Sequence, residues 1–317
     1  MKAFLRSPRA ALTVGMLLLL ALVPPVATAL GQPFYLTLVL RMMVYGLAAL
    51  SLNLLLGYGG MVSFGHALYL GVGAYAVGIL SHFGVSSGWA HLAAALGVSA
   101  AVALLTGLIS LRTAGIAFIM ITLAFAQMFF FLAVSLRQFG GDEGMTIPQP
   151  SDFGLIDLGN RVVFYYTVFG LLLLALYGSR RLIESRFGMV LRGSMGNEPR
   201  MRALGFPTLR YRLTAYVISA CVCSIAGLLL ANLTGFTSPD YMAWTRSGEL
   251  IVMVVLGGMG TLIGPVVGAT GLLLLEEVLS AFTEHWMIVL GPIIVWIALV
   301  AKRGIVGLVP EGAGDRG

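Results

Sequence analysis

Lysine and cysteine are nearly absent from this sequence, and both absences narrow the possible functions. Lys2 and Lys302 are the only lysines, and neither follows a glycine-rich run, so the chain contains no P-loop for a nucleotide. It also lacks a His-Glu-x-x-His zinc motif, a Gly-x-Ser-x-Gly nucleophile motif and a Cys/His cluster with zinc spacing. Cys221 and Cys223, two apart on a predicted helix, point to roughly opposite faces, which favours packing roles over a disulfide or a metal pair.

Charged residues are also scarce. They make up 10% of the chain against 59% hydrophobic residues, and the mean hydropathy is +0.96, so we expect one all-α polytopic membrane domain over residues 1–317. Most predicted spans contain no ionisable side chain, whereas ion-coupled carriers usually keep carboxylates near the midplane. Arg41 lies in the outer half of the second span, and Glu249, Glu276 and Glu277 lie near span ends. The chain is therefore either a passive pore or receives its energy from another polypeptide.

Ten apolar runs approach the length of about 20 residues that a bilayer crossing needs. If the first run starts inside, the tenth ends inside at Lys302 and Arg303, so we expect both termini in the cytoplasm. Two alternatives stay open: a cleaved signal ending near Ala27–Ala29, and a re-entrant rather than crossing run at 248–263. The loop 137–161 is expected to be irregular. The predicted spans are 11–30, 34–56, 61–81, 90–111, 114–136, 162–178, 213–233, 248–263, 264–282 and 285–301.

The positive charge is concentrated in residues 178–212, which we call the coupling segment. Eight arginines and two glutamates give it a charge of +8 − 2 = +6, equal to the net charge of the whole chain. Short basic loops stay in the cytoplasm, so this charge reflects topology and not nucleic-acid binding. The pattern predicts two short helices, one from about Arg186 and one with Asn197 as N-cap, Pro199 in its first turn and an end at Gly205. Apolar side chains at Met201, Leu204 and Phe206 suit a cleft in a cytoplasmic partner.

Glycine interrupts the helical pattern at two places, 56–66 and 256–265, and both begin Leu-Gly-x-x-Gly. Broken helices often line the pathway of transporters, but glycine also permits tight turns and close helix packing, and both interpretations stay open. A packing or hydrogen-bonding role is the simpler interpretation of His66 and Gln127, and Asn53 and Ser63 have the same two interpretations. The candidate pathway residues are Asn53, Gly57, Gly60, Ser63, Phe64, Gly65, His66, Gln127, Glu249, Gly257 and Gly260.

Three motifs in order resemble a known family of permease subunits, those of ABC importers of the branched-chain amino-acid type. They are Leu-Asn-Leu-Leu-Leu-Gly-Tyr-Gly-Gly through Ser-Phe-Gly-His-Ala at 52–67, Ser-Arg-Phe-Gly through Ala-Leu-Gly at 185–205, and Ser-Gly-Glu-Leu through Gly-Thr-Leu-Ile-Gly-Pro at 247–265. The stretch 283–286 and the tail 303–308 resemble the M-type subunit and not its H-type partner. One departure is Gly193-Ser194-Met195-Gly196, where the family has a more helix-forming run, and this puts the rigidity of the first predicted helix in doubt.

The resemblance implies the ABC importer permease fold and a heteromeric importer in a bacterial-type cytoplasmic (inner) membrane. This subunit would pair with an H-type permease, two cytoplasmic P-loop ATPase subunits and an extracytoplasmic substrate-binding protein. The chain would hold no cofactor and catalyse no reaction, because the ATPases bind ATP and Mg. The family serves branched-chain amino acids, other amino acids, urea or short amides, so the substrate stays undetermined. The residues implied in ATPase coupling are Arg186, Phe187, Gly188, Arg192, Asn197, Glu198, Pro199, Ala203, Leu204 and Gly205.

Three rival functions remain at the level of sequence. A secondary carrier would need coupling residues that the spans lack. A passive channel for a small neutral solute would conduct as an isolated chain, without partner or nucleotide. An intramembrane enzyme is the weakest, because no nucleophile–base pair or metal set can be assembled from these residues.

Overall fold

A computed structural model describes residues 8–29, 31, 33–154, 157–283, 285–300 and 304–307, and most of them lie in helices. Lys302, Arg303 and Glu284, which support the predicted topology and the M-type resemblance, lie outside these ranges. So does Leu30, the last residue of the first predicted span. The helices are α1 Pro8–Ala29, α2 Pro33–Gly59, α3 Ala67–His82, α4 Gly88–Ser110, α5 Ile116–Ser135, α6 Arg161–Glu184, α7 Arg186–Gly196, α8 Glu198–Ala203, α9 Thr208–Thr234, α10 Trp244–Gly257, α11 Gly264–Phe282, α12 Trp286–Val300 and α13 Gly304–Gly307.

The loop between α5 and α6 is irregular, as expected, with one small addition. It begins with a 3-10 turn at Arg137–Phe139 and contains the two-residue strand β1, Met145–Thr146. This strand pairs antiparallel with β2, Phe236–Thr237, which follows α9. A second 3-10 turn, Pro239–Met242, leads from β2 to α10. The pairing ties the loop to the end of α9, so the loop covers one end of the helix bundle.

Six helices in the described part of the chain are long and apolar enough to cross a membrane: α2, α4, α5, α6, α9 and α11. The apolar stretches of α1, α3 and α12 are shorter, and α10 has only 14 residues. The chain is therefore a multi-pass membrane protein. The count of ten crossings stays a prediction.

Helix α2 forms the centre of the bundle, and α9 lies beside it. In the most apolar window of α2, 83% of the residues are buried inside the protein, against 61% for α9 and 22% for α5. The reason is that α2 packs against α1, α6, α9, α10 and α11. Leu47, Leu52 and Leu55 on α2 are almost completely buried. The outer helices instead expose apolar side chains such as Leu105 and Phe131, as expected for surfaces that face lipid.

Three predicted span boundaries lie six residues from the observed helix ends. The third span is predicted to begin at 61, but α3 begins at Ala67. The reason is that Gly60 adopts a left-handed backbone (φ +64°) and the chain turns through 60–66. The eighth was placed over 248–263, but α10 ends at Gly257 and residues 258–263 are not helical. The sixth span is predicted to end at 178, whereas α6 continues to Glu184. Arg180 and Glu184 form an i,i+4 ion pair that supports its last turns.

Candidate coupling segment and pathway residues

The two helices predicted in the coupling segment are confirmed. Helix α7 starts after Ser185, whose Oγ accepts a hydrogen bond from the Gly188 N–H at 3.4 Å. Helix α8 starts after Asn197, whose Oδ1 accepts a bond from the Arg200 N–H at 2.9 Å. These side chains satisfy N–H groups that the first turn of a helix leaves unpaired. The sequence therefore encodes both helix starts locally.

The glycines of 193–196 do not break α7, which runs to Gly196. Gly193 instead permits close packing, which the sequence did not reveal. A Cβ added to Gly193 would lie 2.8 Å from Sδ and 3.1 Å from Cε of Met201 on α8. Only glycine leaves room for α8 to fold back against α7 without moving this methionine, so we interpret the departure from the family pattern as a packing feature.

Helix α7 is attached to the ends of the long helices. Leu191 is buried, and α7 contacts α2, α6 and α9. Gly188 packs so closely on the Ile183 carbonyl of α6 that a side chain there would overlap it. The Arg192 guanidinium donates to the same carbonyl at 3.3 Å, and the Phe187 ring lies 5.5 Å from the ring of Tyr211 on α9. Helix α7 is therefore packed against the ends of α2, α6 and α9.

Glu198 connects α8 to α9. Its Oε1 accepts from the Arg202 guanidinium at 2.6 Å and from the Thr208 hydroxyl at 3.1 Å, and its Oε2 pairs with Arg212 at 2.9 Å. Partial burial raises the pKa of the Glu198 carboxyl, but the hydrogen bond from Arg202 and the charge of Arg212 outweigh it and bring the pKa below its ordinary value. The carboxylate is therefore ionised at neutral pH and holds two arginines from two different elements.

The rest of the coupling segment presents an exposed surface that mixes charge and apolar side chains. Leu204 is 65% exposed and Met195 54% exposed. Gly205 adopts a left-handed backbone (φ +87°) just after α8, with open space around its Cα. Exposed arginines and apolar side chains together are typical of protein interfaces. Other exposed residues of this surface include Arg186, Met189, Asn197, Pro199, Arg200, Ala203 and Phe206.

The two glycine interruptions meet in space. The Asn53 side chain donates to the Thr261 carbonyl at 2.9 Å and accepts from the Gly260 N–H at 3.0 Å. One turn along α2, the backbone of Gly57 approaches the same segment so closely that an added Cβ would lie 2.5 Å from the Gly260 nitrogen. Asn53, Gly57 and Gly260 therefore form a junction between the end of α2 and residues 258–263. The Asn53 amide bonds protein backbone there.

Other predicted pathway glycines lie around this junction. Gly60 faces the coupling segment, since a Cβ there would lie 2.8 Å from Cγ of Met195. Gly257 packs against the first turn of α11, where a side chain would overlap the Gly264 carbonyl. On the opposite side of residues 258–263, Gly304 of α13 packs directly on the backbone of Gly258, with no room for a side chain.

The turn after α2 is fixed by side chains from two other helices. The Phe64 N–H donates to the Thr122 hydroxyl of α5 at 3.2 Å, and the Ala67 N–H donates to the Ser247 hydroxyl of α10 at 3.0 Å. Gly65 packs against the Thr122 carbonyl, where a Cβ would lie at 2.6 Å. Backbone groups that a helix would have paired are thus satisfied by neighbours, as buried non-helical backbone requires.

His66 and Ser63 are fully buried in the same turn. The His66 Nε2 lies 2.8 Å from the Ser51 hydroxyl of α2, and Ser219 of α9 donates to the Ser51 carbonyl. His66 is thus a buried, hydrogen-bonded histidine, the simpler of the two interpretations left open by the sequence. A lining role of Ser63 and His66 in one conformation of the pathway stays a prediction.

Gln127 and Glu249 lie apart from the junction. Gln127 is half-buried on α5, and Glu249 on α10 accepts two hydrogen bonds from the Arg246 guanidinium, at 2.9 and 3.1 Å. Arg41, whose partner was unknown from sequence, pairs with Glu276 of α11 at 3.6 Å. Arg246 is not among the residues predicted from sequence, although its i,i+3 spacing from Glu249 indicates that the two can form an ion pair. In the described part of the chain, no group of His, Cys, Asp and Glu could hold a metal ion.

The chain belongs to the permease family of ABC transporters that is described as the permease component of the branched-chain amino acid transport system. The model of that family matches residues 34–298. This range includes the junction, the coupling segment and every candidate site residue named above.

Within this family the chain is similar to LivM, the high-affinity branched-chain amino acid transport system permease protein. It is 31% identical to LivM of Salmonella typhimurium over 83% of this chain and 68% of that protein, and 30% identical to LivM of Escherichia coli K12 over 91% and 73%. It is 25% identical to LivH of Escherichia coli K12 over 83% and 91%. These identities confirm the resemblance to the M-type subunit. No solved structure matches the chain.

Proposed function

We propose that this chain is the M-type permease subunit of an ATP-driven importer for branched-chain amino acids or related small polar solutes, and that it forms half of the translocation pathway. The observation that carries the proposal is the coupling segment. Two helices, α7 and α8, are attached to α2, α6 and α9, carry an internal ion-pair network and expose arginines beside apolar side chains. A loop whose only role was to keep positive charge in the cytoplasm would not need these packed helices, ion pairs or exposed apolar side chains.

The proposed partners follow from what the chain lacks. It has no P-loop, so two cytoplasmic ATPase subunits bind ATP and Mg, and the chain itself catalyses no reaction and holds no cofactor. An H-type permease supplies the other half of the pathway, and the similarity to LivH supports a pair of related permeases. An extracytoplasmic binding protein delivers the substrate. The lipid bilayer surrounds the complex, and no nucleic acid takes part.

The contacts of the coupling segment suggest how ATPase motion reaches the membrane. Helix α7 touches the end of α2 through Met195 and Gly60. From there, Asn53 and Gly57 connect α2 to residues 258–263, where α10 ends and α11 has not begun. A push on α7 thus shifts α2 and the non-helical segment together. We propose that this displacement opens the pathway alternately to each side of the membrane.

The proposed topology keeps the ten predicted crossings. Both termini and the coupling segment face the cytoplasm, and the chain resides in a bacterial-type cytoplasmic (inner) membrane. Helix α10 and residues 258–263 together make the eighth crossing, and α11 makes the ninth. The non-helical residues 258–263 pack against α2, α11 and α13, and Asn53 of α2 supplies partners for two of their backbone groups, the Gly260 N–H and the Thr261 carbonyl.

Purification of the tagged chain from its native membrane in mild detergent, followed by mass spectrometry, tests the proposal. The expected result is recovery of a second permease of the same family and two P-loop ATPases, with leucine uptake by the reconstituted complex that requires ATP. A chain that is recovered alone and conducts without nucleotide would establish a channel. Uptake that collapses with ionophores and survives ATP depletion would establish a secondary carrier.

A further inference from the structure

Four charged side chains lie together on three packed helices. Arg246 and Glu249 on α10 form a hydrogen-bonded ion pair, with oxygens 2.9 and 3.1 Å from the guanidinium. Arg41 on α2 and Glu276 on α11 form a looser pair at 3.6 Å. We call these four residues the outer charge cluster. It contains two cations and two anions, so its net charge is zero.

Tyr45 joins the two pairs into one cluster. It lies one turn after Arg41 on α2, and the Arg41 guanidinium is 5.9 Å from the centroid of its ring. The Tyr45 hydroxyl also interacts electrostatically with Arg246 and Glu249. The ring itself is buried, at 5% exposure. Tyr45 is therefore a buried aromatic neighbour that the two pairs share.

The outer charge cluster is open to its surroundings. The side chains of Arg41, Glu276, Arg246 and Glu249 keep 40%, 28%, 32% and 42% exposure. Arg41 follows the start of α2 by about two helical turns, and α2 and α11 are both candidate membrane spans. A charged group at that depth must face water or protein, because exposure to hydrocarbon is costly.

The opposite face of α11 has a different character. Leu274 and Val278, each two residues from Glu276, are apolar and 44% and 52% exposed. Residues two apart on a helix point in nearly opposite directions. Leu274 and Val278 therefore lie on a lipid-like face of α11 that points away from Glu276.

We propose that the outer charge cluster lines the water-filled extracytoplasmic half of the pathway and recognises the zwitterionic head group of an amino acid. The inference rests on the proposed function, including the topology given there. A guanidinium takes the α-carboxylate and a carboxylate takes the α-ammonium, each by charge-assisted hydrogen bonds. Partly exposed ion pairs are weak, so the substrate exchanges with them at little cost. Paired charges of both signs suit a zwitterion, which itself carries both.

Cysteine labelling of the assembled complex tests whether this face meets water. In a background where Cys221 and Cys223 are alanine, Glu276→Cys is compared with Leu274→Cys and Val278→Cys on the same helix. We expect a membrane-impermeant charged methanethiosulfonate to react at least about tenfold faster at position 276, because the reagent stays in water and reacts with the thiolate. Reaction at 276 that is no faster than at 274 and 278 would overturn the proposal.

Protection by substrate tests recognition while all four charges are present. Ser280→Cys lies one turn beyond Glu276 and reports on the same face. Without binding protein, L-leucine should slow its labelling, whereas 4-methylpentanoate, which lacks the ammonium group, should not. Glu249→Gln should raise the protecting leucine concentration about tenfold. The control is Glu143→Gln in the loop after α5, and it should leave that concentration unchanged.

Equal protection by both compounds, or no protection by leucine, would overturn the proposed recognition. These outcomes are separate from failure of the proposed function. A complex that assembles with its ATPases and imports leucine with ATP, yet fails the labelling tests, retains the function and loses the outer charge cluster as its recognition site. A chain that never assembles loses the function itself.

Discussion

The Asn53 side chain accepts a hydrogen bond from the Gly260 N–H at 3.0 Å, across 207 residues of sequence. Its amide nitrogen donates to the next carbonyl, that of Thr261, at 2.9 Å. One amide thus satisfies a donor and an acceptor of the non-helical residues 258–263. The central helix and the helix break of α10 are therefore coupled through a single side chain that is 1% exposed.

Replacing Asn53 should destabilise the protein because two buried backbone groups lose their partner. We expect Asn53→Leu, which keeps the number and branching of the side-chain heavy atoms, to lower the free energy of unfolding by about 1–3 kcal/mol. Thermal denaturation of the purified complex in detergent measures the change. Asn53→Asp keeps an acceptor for the Gly260 N–H but loses the donor to Thr261, so it should also be less stable than wild type. A leucine variant as stable as wild type would show that these bonds contribute nothing.

Gly57 should tolerate no side chain. An added Cβ would lie 2.5 Å from the nitrogen and 2.9 Å from the Cα of Gly260, so Gly57→Ala must push the junction apart. We expect a loss of about 2–3 kcal/mol. Gly97→Ala is the matched control, since this glycine lies inside α4 with no other atom within 4 Å of an added Cβ. Helix propensity should make the control neutral or more stable by up to about 1 kcal/mol, and a similar loss in both variants would contradict the steric account.

Loss of the Glu198 carboxylate should uncouple ATP hydrolysis from uptake. Glu198→Gln leaves the half-buried Arg212 without its partner and frees α8 from α9. We expect ATP hydrolysis to continue while leucine uptake falls, with a loss of about 1–2 kcal/mol in stability. For stability, Glu184→Gln is the control, because its ion pair with Arg180 is largely exposed, and it should cost less than about 0.5 kcal/mol. Unchanged uptake at normal expression would contradict the coupling role.

The same carboxylate sets a pH window. The pKa of Glu198 lies below the ordinary value of 4.5, so the folded state holds the ionised form more strongly than the unfolded state does. The contribution of Glu198 to the free energy of unfolding is therefore present above pH 4.5 and is lost as the pH falls through the lower folded-state pKa. Thermal stability of wild type and Glu198→Gln should differ by a constant amount at neutral pH and converge in acid. A difference that persists unchanged in acid would exclude this carboxylate as the cause.

Gly205 should be sensitive to backbone strain and not to crowding. Its φ is +87° and an added Cβ would meet no atom within 4 Å, so the cost of Gly205→Ala comes from the left-handed backbone alone. We expect a loss of about 1 kcal/mol and reduced coupling, because the end of α8 shifts. Gly205→Asn should be milder, since asparagine adopts this conformation more readily. The ratio of uptake to ATP hydrolysis in both variants distinguishes strain from a requirement for glycine itself.

The coupling segment was predicted well because its signals are local. Ser185, Asn197 and Pro199 mark helix starts through bonds that span three residues or fewer, and Gly205 marks an end. The sequence did not show that Gly193 permits α7 and α8 to pack together, because the methionine that fills the space lies eight residues away in another helix.

The pathway candidates were only partly predictable, for the opposite reason. The sequence identified Asn53, Gly57 and Gly260 as unusual, but their contact joins residues more than 200 positions apart and has no local signature. Likewise, the sequence does not show that Arg41 pairs with Glu276, because the two residues are distant in the chain. The boundary errors at α3 and α10 have the same origin. The apolar runs continue past the glycines, and only the fold shows where helical hydrogen bonding stops.

The central position of α2 has a consequence for biosynthesis. Its neighbours α6, α9, α10 and α11 all follow it in the chain, so they leave the ribosome after it. Until these helices are synthesised, α2 has only α1 beside it. The partner of Arg41, Glu276, is made 235 residues later. The helix must therefore enter the bilayer as a lipid-exposed span, and its hydropathy of 1.8 equals that of α6, which stays mostly unburied. The composition of this helix therefore has to suit both the nascent chain, in which the helix faces lipid, and the finished bundle, in which it is buried.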